Sequence, residues 1–161
     1  MLTDKDYMKM ALQEAELAYQ EDEIPVGCII VQNGEVISCA HNQKEKNFHP
    51  LHHAEMLAIE KAVKKLNCRY LLDCDLFVSL EPCIMCTGAI INSRIRRIVF
   101  ATRDPKGGGV VSSVSLKSLS SINHHPEIKE GILQEDASEL LKCFFREKRK
   151  QKKNEIVKKD K

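Results

Sequence analysis

Asp75-Leu-Phe-Val-Ser-Leu80 and Arg96-Arg-Ile-Val-Phe-Ala101 flank the stretch Pro82-Cys83-Ile-Met-Cys86, and these three segments decide the fold class. The two flanking segments are short, apolar and rich in β-branched and aromatic residues, which predicts buried strands. Pro82 is well placed to begin a short helix that continues from Cys83 to about Asn92. A strand, a helix and another strand in this order predict an α/β sheet with parallel pairing.

The segments outside this stretch predict further helices and strands of the same layered sheet. Thr3 and Asp6 resemble a capping box at the start of a first helix. The turn Asn33-Gly34 predicts a hairpin of two strands, Val26–Val31 and Glu35–Ala40. The remaining predicted elements are a helix from about Ala54 to Leu66, a loop over 102–125, a short strand within 127–133 and a last helix from about Glu135 past Arg149. We therefore predict one α/β domain spanning residues 1–161.

The length and composition fit one globular domain. Of the 161 residues, 43% are apolar and 30% are charged, and this balance excludes collagenous, low-complexity and wholly disordered proteins. No apolar run approaches the roughly 18 residues that cross a bilayer, and the first residues lack the basic and apolar segments of a signal peptide. We therefore expect a cytoplasmic protein with no membrane association.

The charge of the chain is uneven. Residues 146–161 contain nine Lys or Arg and three acids, although the net charge of the whole chain is only +2. The rest of the chain is therefore acidic on balance. Such asymmetry fits either a basic arm that binds phosphates or a solvated and partly disordered tail that begins at about residue 150.

Two short motifs, His53-Ala54-Glu55 and Cys83-Ile-Met-Cys86, carry the chemistry that the sequence predicts. Both lie at predicted helix starts, where the helix N-terminus favours thiolates, and the two cysteines share one face of a helical turn. His53, Cys83 and Cys86 supply three ligands of the kind that zinc prefers. Three protein ligands leave one position for water, as in catalytic zinc sites, and Glu55 is then placed to take and return protons.

Other interpretations of these residues remain open from spacing alone. A Cys-x-x-Cys pair also occurs in thioredoxin-like redox proteins, but that interpretation leaves His53 and Glu55 without a role. A fourth ligand from another cysteine would make the zinc site structural. His52 is a rival to His53, although only His53 stands two residues before Glu55. The remaining cysteines, which we expect to be buried or inert, are Cys28, Cys39, Cys68, Cys74 and Cys143.

These motifs resemble those of the zinc-dependent cytidine and nucleotide deaminase superfamily. The resemblance is closer to the bacterial tRNA-specific adenosine deaminases and extends over nearly the whole chain. The matching segments include Glu23-Ile-Pro-Val-Gly27, Asn42, His53-Ala-Glu55, Leu80-Glu-Pro-Cys-Ile-Met-Cys86, Ser93-Arg-Ile95, Arg103-Asp104, Lys106, Glu130-Gly-Ile-Leu133 and Phe144-Phe145-Arg146.

The resemblance implies a fold, an activity and a cofactor. The fold would be a three-layer α/β/α domain with a central mixed five-stranded sheet, assembled as a homodimer. The activity would be hydrolytic deamination of the wobble adenosine of a tRNA anticodon to inosine. His53, Cys83 and Cys86 would hold one Zn²⁺ per subunit, the activated water would attack C6 of adenine, and Glu55 would shuttle protons.

The resemblance also implies contacts to the tRNA anticodon stem-loop. The residues that match the substrate-binding positions of the family are Val26, Asn42, Asp104, Lys106, Asn123, Phe145, Arg146 and Arg149. Arg and Lys can neutralise phosphates, and aromatic rings can stack on unpaired bases. Two segments depart from the family pattern: His49-Pro-Leu-His52 replaces Asp-Pro-Thr-Ala, and Gly107-Gly-Gly-Val-Val111 replaces other small residues.

Two rival functions share the zinc residues. A deaminase of a free base or nucleotide would use the same metal site, whereas Asn42, the Phe-Phe-Arg helix and the basic tail favour RNA. A zinc-stabilised RNA-binding subunit without activity is the second rival, and the presence of Glu55 argues against it.

Overall fold

The computed structural model describes residues 1–159, which form helices and strands in the alternating order that the sequence predicts. The helices are α1 (Asp4–Gln20), α2 (Ala54–Leu66), α3 (Ile84–Asn92) and α4 (Gln134–Lys159), and a 3₁₀ turn covers Leu116–Ser118. The strands are β1 (Gly27–Gln32), β2 (Glu35–His41), β3 (Cys74–Leu80), β4 (Arg97–Thr102) and β5 (Glu127–Glu130). Each predicted element is found within a few residues of its expected bounds.

Local sequence signals explain where the first elements begin and turn. The Thr3 side chain accepts a hydrogen bond from the Asp6 amide, and Asp6 accepts one from the Thr3 amide at 2.9 Å, which confirms the capping box. Asn33 and Gly34 have φ angles of 50° and 81°, the left-handed conformation that a two-residue hairpin turn requires. These signals fix the start of α1 and the pairing of β1 with β2.

The five strands form one mixed sheet in the order β2-β1-β3-β4-β5. β1 pairs with β2 and β3 in antiparallel fashion, whereas β3 with β4 and β4 with β5 are parallel. The helix α3 is the crossover between the parallel strands β3 and β4. This confirms the parallel pairing that the strand, helix and strand of residues 75–101 predict.

Helices cover both faces of the sheet and produce three layers. One apolar cluster joins α2 and α3 to the sheet through residues such as Ile59, Ile90 and Phe100. A second cluster joins α1 and α4 to the opposite face through residues such as Met8 and Phe77. Neighbouring residues of one strand enter opposite clusters, since side chains of a strand alternate between faces. The architecture is therefore the three-layer α/β/α arrangement expected.

An ion-pair network ties the start of α1 to the sheet at the edge where β3 and β4 begin. The Arg97 guanidinium donates to both carboxylate oxygens of Asp4, at 2.8 and 2.9 Å, and to Asp75 at 2.8 Å. Lys129 adds a further bond to Asp4 at 2.7 Å. The Arg97 guanidinium holds the pKa of Asp4 below its usual value, because the charged carboxylate is the form it binds.

The basic segment is helical where the structure describes it, and residues 160–161 of the predicted tail lie outside the described residues. Residues 150–159 continue α4 as helix, with every side chain exposed. Lys, Gln and Glu are good helix formers, and Lys158 and Lys159 in the last turn favour the negative end of the helix dipole. Within residues 1–159, no helix combines the length and apolar character that crossing a membrane requires.

Candidate active site

The zinc-type ligands meet where two helices begin side by side. His53 is the N-cap residue directly before α2, and Cys83 is the N-cap residue of α3. Cys86 lies in the first turn of α3. His53 Nδ1 lies 3.8 Å from Cys83 Sγ and 3.6 Å from Cys86 Sγ. The candidate ligand atoms of all three residues lie within 4.8 Å of one another.

The donor set and its spacing fit one Zn²⁺. With zinc–sulfur and zinc–nitrogen bonds of usual length, tetrahedral ligands are separated by roughly 3.5 Å, close to the distances observed. Among residues 1–159, the cluster contains these three ligand residues and no fourth Cys or His. Three ligands of this kind are typical of a catalytic zinc site rather than a structural one.

The electrostatics of the cluster favour a thiolate. The pKa of Cys83 is lowered to about 4, chiefly by the hydrogen bond from the Cys86 thiol and further by His53. The pKa of Cys86 is raised, because its thiol donates to Cys83 and because it is buried. The hydrogen bond to Cys83 also raises the pKa of His53. The pair therefore already carries a negative charge that a cation can bind.

Glu55 is a buried carboxylic acid beside this cluster. It follows His53 by two residues in the first turn of α2, and only 3% of its surface is exposed. Burial raises its pKa to about 7, because the charged form loses its hydration. A carboxyl group with this pKa can accept and donate a proton near neutral pH.

The rival residues for the metal site lie away from the cluster of His53, Cys83 and Cys86. His52 turns away from the cluster: its ring stacks on His49 at 3.9 Å, and its Nδ1 lies 2.9 Å from Asn47 Nδ2. Cys28 and Cys74 are buried in the apolar core, whereas Cys39 is exposed. The structure thus brings together His53, Cys83 and Cys86, with Glu55 next to them.

Asn42 connects this site to the loop before β1. It comes directly after β2 and is 6% exposed. Its Oδ1 accepts a hydrogen bond from the Ala54 amide at 2.9 Å, and its Nδ2 donates to the Ile24 carbonyl at 3.1 Å. Val26, also buried, accepts from the Asn42 amide. Asn42 therefore positions the first turn of α2 beside His53, and it also lines a cleft of about 440 Å³ that reaches Phe145.

Three residues expected to contact RNA lie together on the exposed side of α4. Phe145, Arg146 and Arg149 line a cleft of about 470 Å³ together with Arg103 and Thr102 from the end of β4. Phe145 is 41% exposed, whereas its neighbour Phe144 is buried against Tyr19. This cleft combines positive charge with an accessible aromatic ring.

The other residues predicted to contact RNA, which follow β4, differ in their surroundings. The Asp104 carboxylate accepts hydrogen bonds from the Lys106 and Gly107 amides, so it shapes its own turn. Lys106 is exposed. Asn123 lies outside both clefts, and its carbonyl accepts a bond from Arg94. The RNA contacts of these residues remain predictions.

Glu81 is a structural residue to which the sequence assigned no role. It is 2% exposed, and its carboxylate accepts hydrogen bonds from the loop after β4. The donors are the amides of Asp104, Val110, Val111 and Ser112 and the Ser112 hydroxyl. Although burial alone would raise its pKa, these bonds lower it. One sequence signal pointed to Glu81: it is an acid directly before Pro82-Cys83, at a position where burial is expected.

The glycines of this loop allow it to lie on the start of α3. A Cβ at Gly108 would be 2.3 Å from the Glu81 carboxylate, and a Cβ at Gly109 would be 2.7 Å from the Ile84 amide nitrogen. Gly109 donates to the Pro82 carbonyl at 2.8 Å, and Gly108 pairs with Cys83. Gly108 and Gly109, within the segment 107–111 that departs from the family pattern, thus permit close contact between this loop and the turn that carries Cys83.

Comparisons with known proteins agree with this geometry. The family model described as the cytidine and deoxycytidylate deaminase zinc-binding region matches residues 1–102. The chain is 48% identical to a tRNA-specific adenosine deaminase of Aquifex aeolicus, over 89% of this chain and 94% of that protein. It is 43% identical to the tRNA-specific adenosine deaminase of Bacillus subtilis, over 95% of each chain.

Solved structures give the same fold. One from studies of A-to-I editing by tRNA:A34 deaminases at the wobble position has a TM-score of 0.81 and 38% identity, covering 84% of this chain and 98% of its own. The guanine deaminase of Bacillus subtilis has a TM-score of 0.61 and 35% identity, covering 63% of this chain and 66% of its own. The expected cytidine deaminase-like fold is confirmed.

Proposed function

The chain belongs to the cytidine and deoxycytidylate deaminase family, and we propose that it converts the wobble adenosine of a tRNA anticodon to inosine. One observation carries this proposal: three zinc-type ligands, rather than four, lie beside a buried carboxyl group whose pKa is about 7. Relatives that cover nearly the whole chain and act on tRNA support the choice of substrate.

The residues of the site divide the chemistry between them. His53, Cys83 and Cys86 hold one Zn²⁺, which when bound lowers the pKa of water and supplies a nucleophile near neutral pH. Glu55 takes the proton that the attacking water loses and passes it to the ring nitrogen next to C6. It then takes the remaining proton of the oxygen now bonded to C6 and passes it to the departing amine, so that a C6=O bond replaces the C6–N bond and ammonia leaves.

The substrate side of the site combines one buried residue, Asn42, with exposed groups on α4. Asn42 holds the first turn of α2 and reaches the cleft next to Phe145, where it can hydrogen-bond the flipped nucleotide. Phe145 can stack on a neighbouring base, and Arg146 and Arg149 can neutralise phosphates. The stacking and phosphate contacts favour a polynucleotide over a free base, since a free base would use neither of them.

We also propose that the protein acts as a homodimer in the cytoplasm. Large apolar side chains are exposed on the surface, among them Phe48 at 96%, Ile84 at 61% and Leu72 at 60%. A second copy could cover such side chains. All seven cysteines are free, as in reducing compartments. Light scattering of the purified protein would give twice the chain mass, and the mass of one chain would refute the dimer.

The test is inosine formation by the zinc-loaded protein with a panel of substrates. The panel consists of an anticodon stem-loop with A at the wobble position, the same stem-loop with that A moved one position, free adenosine, cytidine and guanine. We expect one zinc per chain and inosine only at the wobble A. Turnover of guanine instead would favour the guanine deaminase activity of the second structural relative, and zinc without any turnover would indicate a binding subunit.

A further inference from the structure

The outer part of α4 is a helix that extends beyond the packed domain. Phe144 is the last buried residue of α4, and all residues from 150 to 159 are exposed. At 1.5 Å per residue, the part from Phe145 to Lys159 is roughly 20 Å long. An isolated helix of this length gains little stability from propensity alone. Because the domain does not cover residues 150–159, the question is what their exposed side chains bind.

The exposed helix carries two different faces. With 100° between successive residues, one stripe contains Phe145, Arg146, Arg149, Lys152, Lys153 and Ile156, which we call the α4 stripe. Of the two acids of the extension within residues 1–159, Glu147 lies on the opposite side of the helix and Glu155 lies at the edge of the stripe, next to Lys152. Among the described residues, no acid forms an ion pair with a basic residue of the stripe.

The packing of α4 turns the α4 stripe away from α1, so that the stripe begins at the cleft that Phe145, Arg146 and Arg149 line. Phe144 stacks edge-on against Tyr19, and Lys148 bonds Asp22, so the side of α4 opposite the stripe lies on α1. The stripe begins in the cleft that Arg103 lines and runs outward from it. Lys152 and Lys153 extend this line by one further turn.

We infer that Lys152 and Lys153 bind the sugar–phosphate backbone of the anticodon stem, next to the loop that enters the site. This inference rests on the proposed function, because the RNA is the substrate proposed above. An unneutralised row of positive charge continuous with the substrate cleft complements a polyphosphate chain. The contact is independent of sequence, since lysine ammonium groups bind phosphates as point charges.

A membrane surface fits this helix less well. Lipid-binding amphipathic helices bury a continuous apolar face, whereas the three exposed apolar residues of the extension are Phe145, Ile156 and Val157, and basic residues separate Phe145 from the other two. The charged residues of this helix also include two acids, Glu147 and Glu155. The observations therefore favour RNA.

The experiment compares two double variants that lose the same net charge. Lys152→Gln with Lys153→Gln removes the outer charges of the stripe, and Lys150→Gln with Lys158→Gln removes two charges from the other side of α4. Glutamine keeps a high helix propensity, and circular dichroism verifies that the helix is retained. Neither variant alters a residue of the zinc cluster or the clefts.

The readout is RNA affinity by fluorescence anisotropy at several salt concentrations, with zinc-loaded protein. The RNAs are the anticodon stem-loop and a short single strand with the loop sequence alone. We expect the stripe variant to bind the stem-loop about 3- to 10-fold more weakly at low salt and to lower the slope of log affinity against log salt by about 1.5. Binding of the single strand and the maximal turnover rate should not change.

Several outcomes would overturn the inference. Equal losses in both variants would mean that net charge alone acts, and an equal loss with the single strand would place the contact at the loop. Loss of binding to vesicles of phosphatidylcholine and phosphatidylserine, with RNA binding unchanged, would assign the stripe to lipid. Because affinity is measured without turnover, absence of inosine would refute the proposed function and leave this result interpretable.

Discussion

The zinc cluster and the cleft on α4 differ in how the fold holds their residues. The first lies at two helix N-termini and is half-buried or buried, with Glu55 enclosed. The second is formed by long side chains on an exposed helix face. The core therefore holds the groups proposed to be catalytic, whereas the residues proposed to recognise RNA lie on the surface of the domain. Changes in the two regions should therefore have separable effects.

The largest effect should come from removing a ligand in the buried region. Cys86→Ser replaces a thiolate ligand by a weak one, and we expect zinc binding to weaken by more than about 100-fold and inosine formation to disappear. Metal analysis and the inosine assay measure the two effects. Cys39→Ser, at an exposed cysteine, is the control and should keep both zinc and activity; full activity in Cys86→Ser would exclude Cys86 as a ligand.

Two neighbouring phenylalanines give the sharpest comparison within one helix. Phe144→Ala should lower the free energy of unfolding by about 3 kcal/mol, because it empties a buried site against Tyr19. Phe145→Ala should leave stability nearly unchanged and weaken RNA binding by about 1–3 kcal/mol, the usual value of base stacking. Denaturant unfolding and anisotropy measure both quantities. If Phe145→Ala costs as much stability as Phe144→Ala, its side chain belongs to the core.

A smaller effect should follow from the loop that joins the two regions. Glu81→Gln keeps the size of the side chain but replaces one carboxylate oxygen by an NH2 group that cannot accept, so donors such as the Asp104 amide lose their acceptor. We expect a loss of about 2 kcal/mol in unfolding free energy. The displaced loop should raise the KM for RNA more than it lowers kcat, with zinc retained. Glu127→Gln at an exposed position is the control. Unchanged KM in Glu81→Gln would mean that the loop does not serve the substrate.

The smallest effect should concern stability alone and leave both regions intact. Asp4 has a lowered pKa in the folded protein, so its ion pair stabilises fully above its unfolded pKa of about 4 and is lost as pH falls through the lower folded value. Asp4→Asn should therefore lower the unfolding free energy by about 1 kcal/mol at pH 7, and this difference should vanish at acidic pH. Urea unfolding across this pH range tests the sign.

The sequence predicted the grouping of His53, Cys83 and Cys86 because its information is local. His53 and Glu55 are two residues apart, Cys83 and Cys86 are three apart, and both pairs lie at helix starts that periodicity and Pro82 indicate. The hairpin turn at Asn33-Gly34 and the bounds of α2 were predictable for the same reason.

The features that the sequence did not give depend on contacts between distant segments. Glu81 acquires its partners 23–31 residues later in the chain, once the loop folds back onto α3. Asn42 was predicted to contact substrate, and its bonds to Ala54 and Ile24 appear only in the folded chain. The charge of residues 150–159 predicted solvation, which their exposure matches, but it did not specify the helical backbone that these residues adopt.

The most direct test of the account is Glu55→Gln, assayed in one preparation for zinc content, RNA affinity and inosine formation at the wobble position. The account assigns proton transfer to Glu55 and assigns it no contact with the metal or the RNA backbone. It therefore predicts one zinc per chain, affinity within about twofold of the unmodified protein and turnover lowered by about 1,000-fold. Retained turnover would contradict the proton-transfer role, and loss of zinc or of RNA binding would contradict the separation of the two regions.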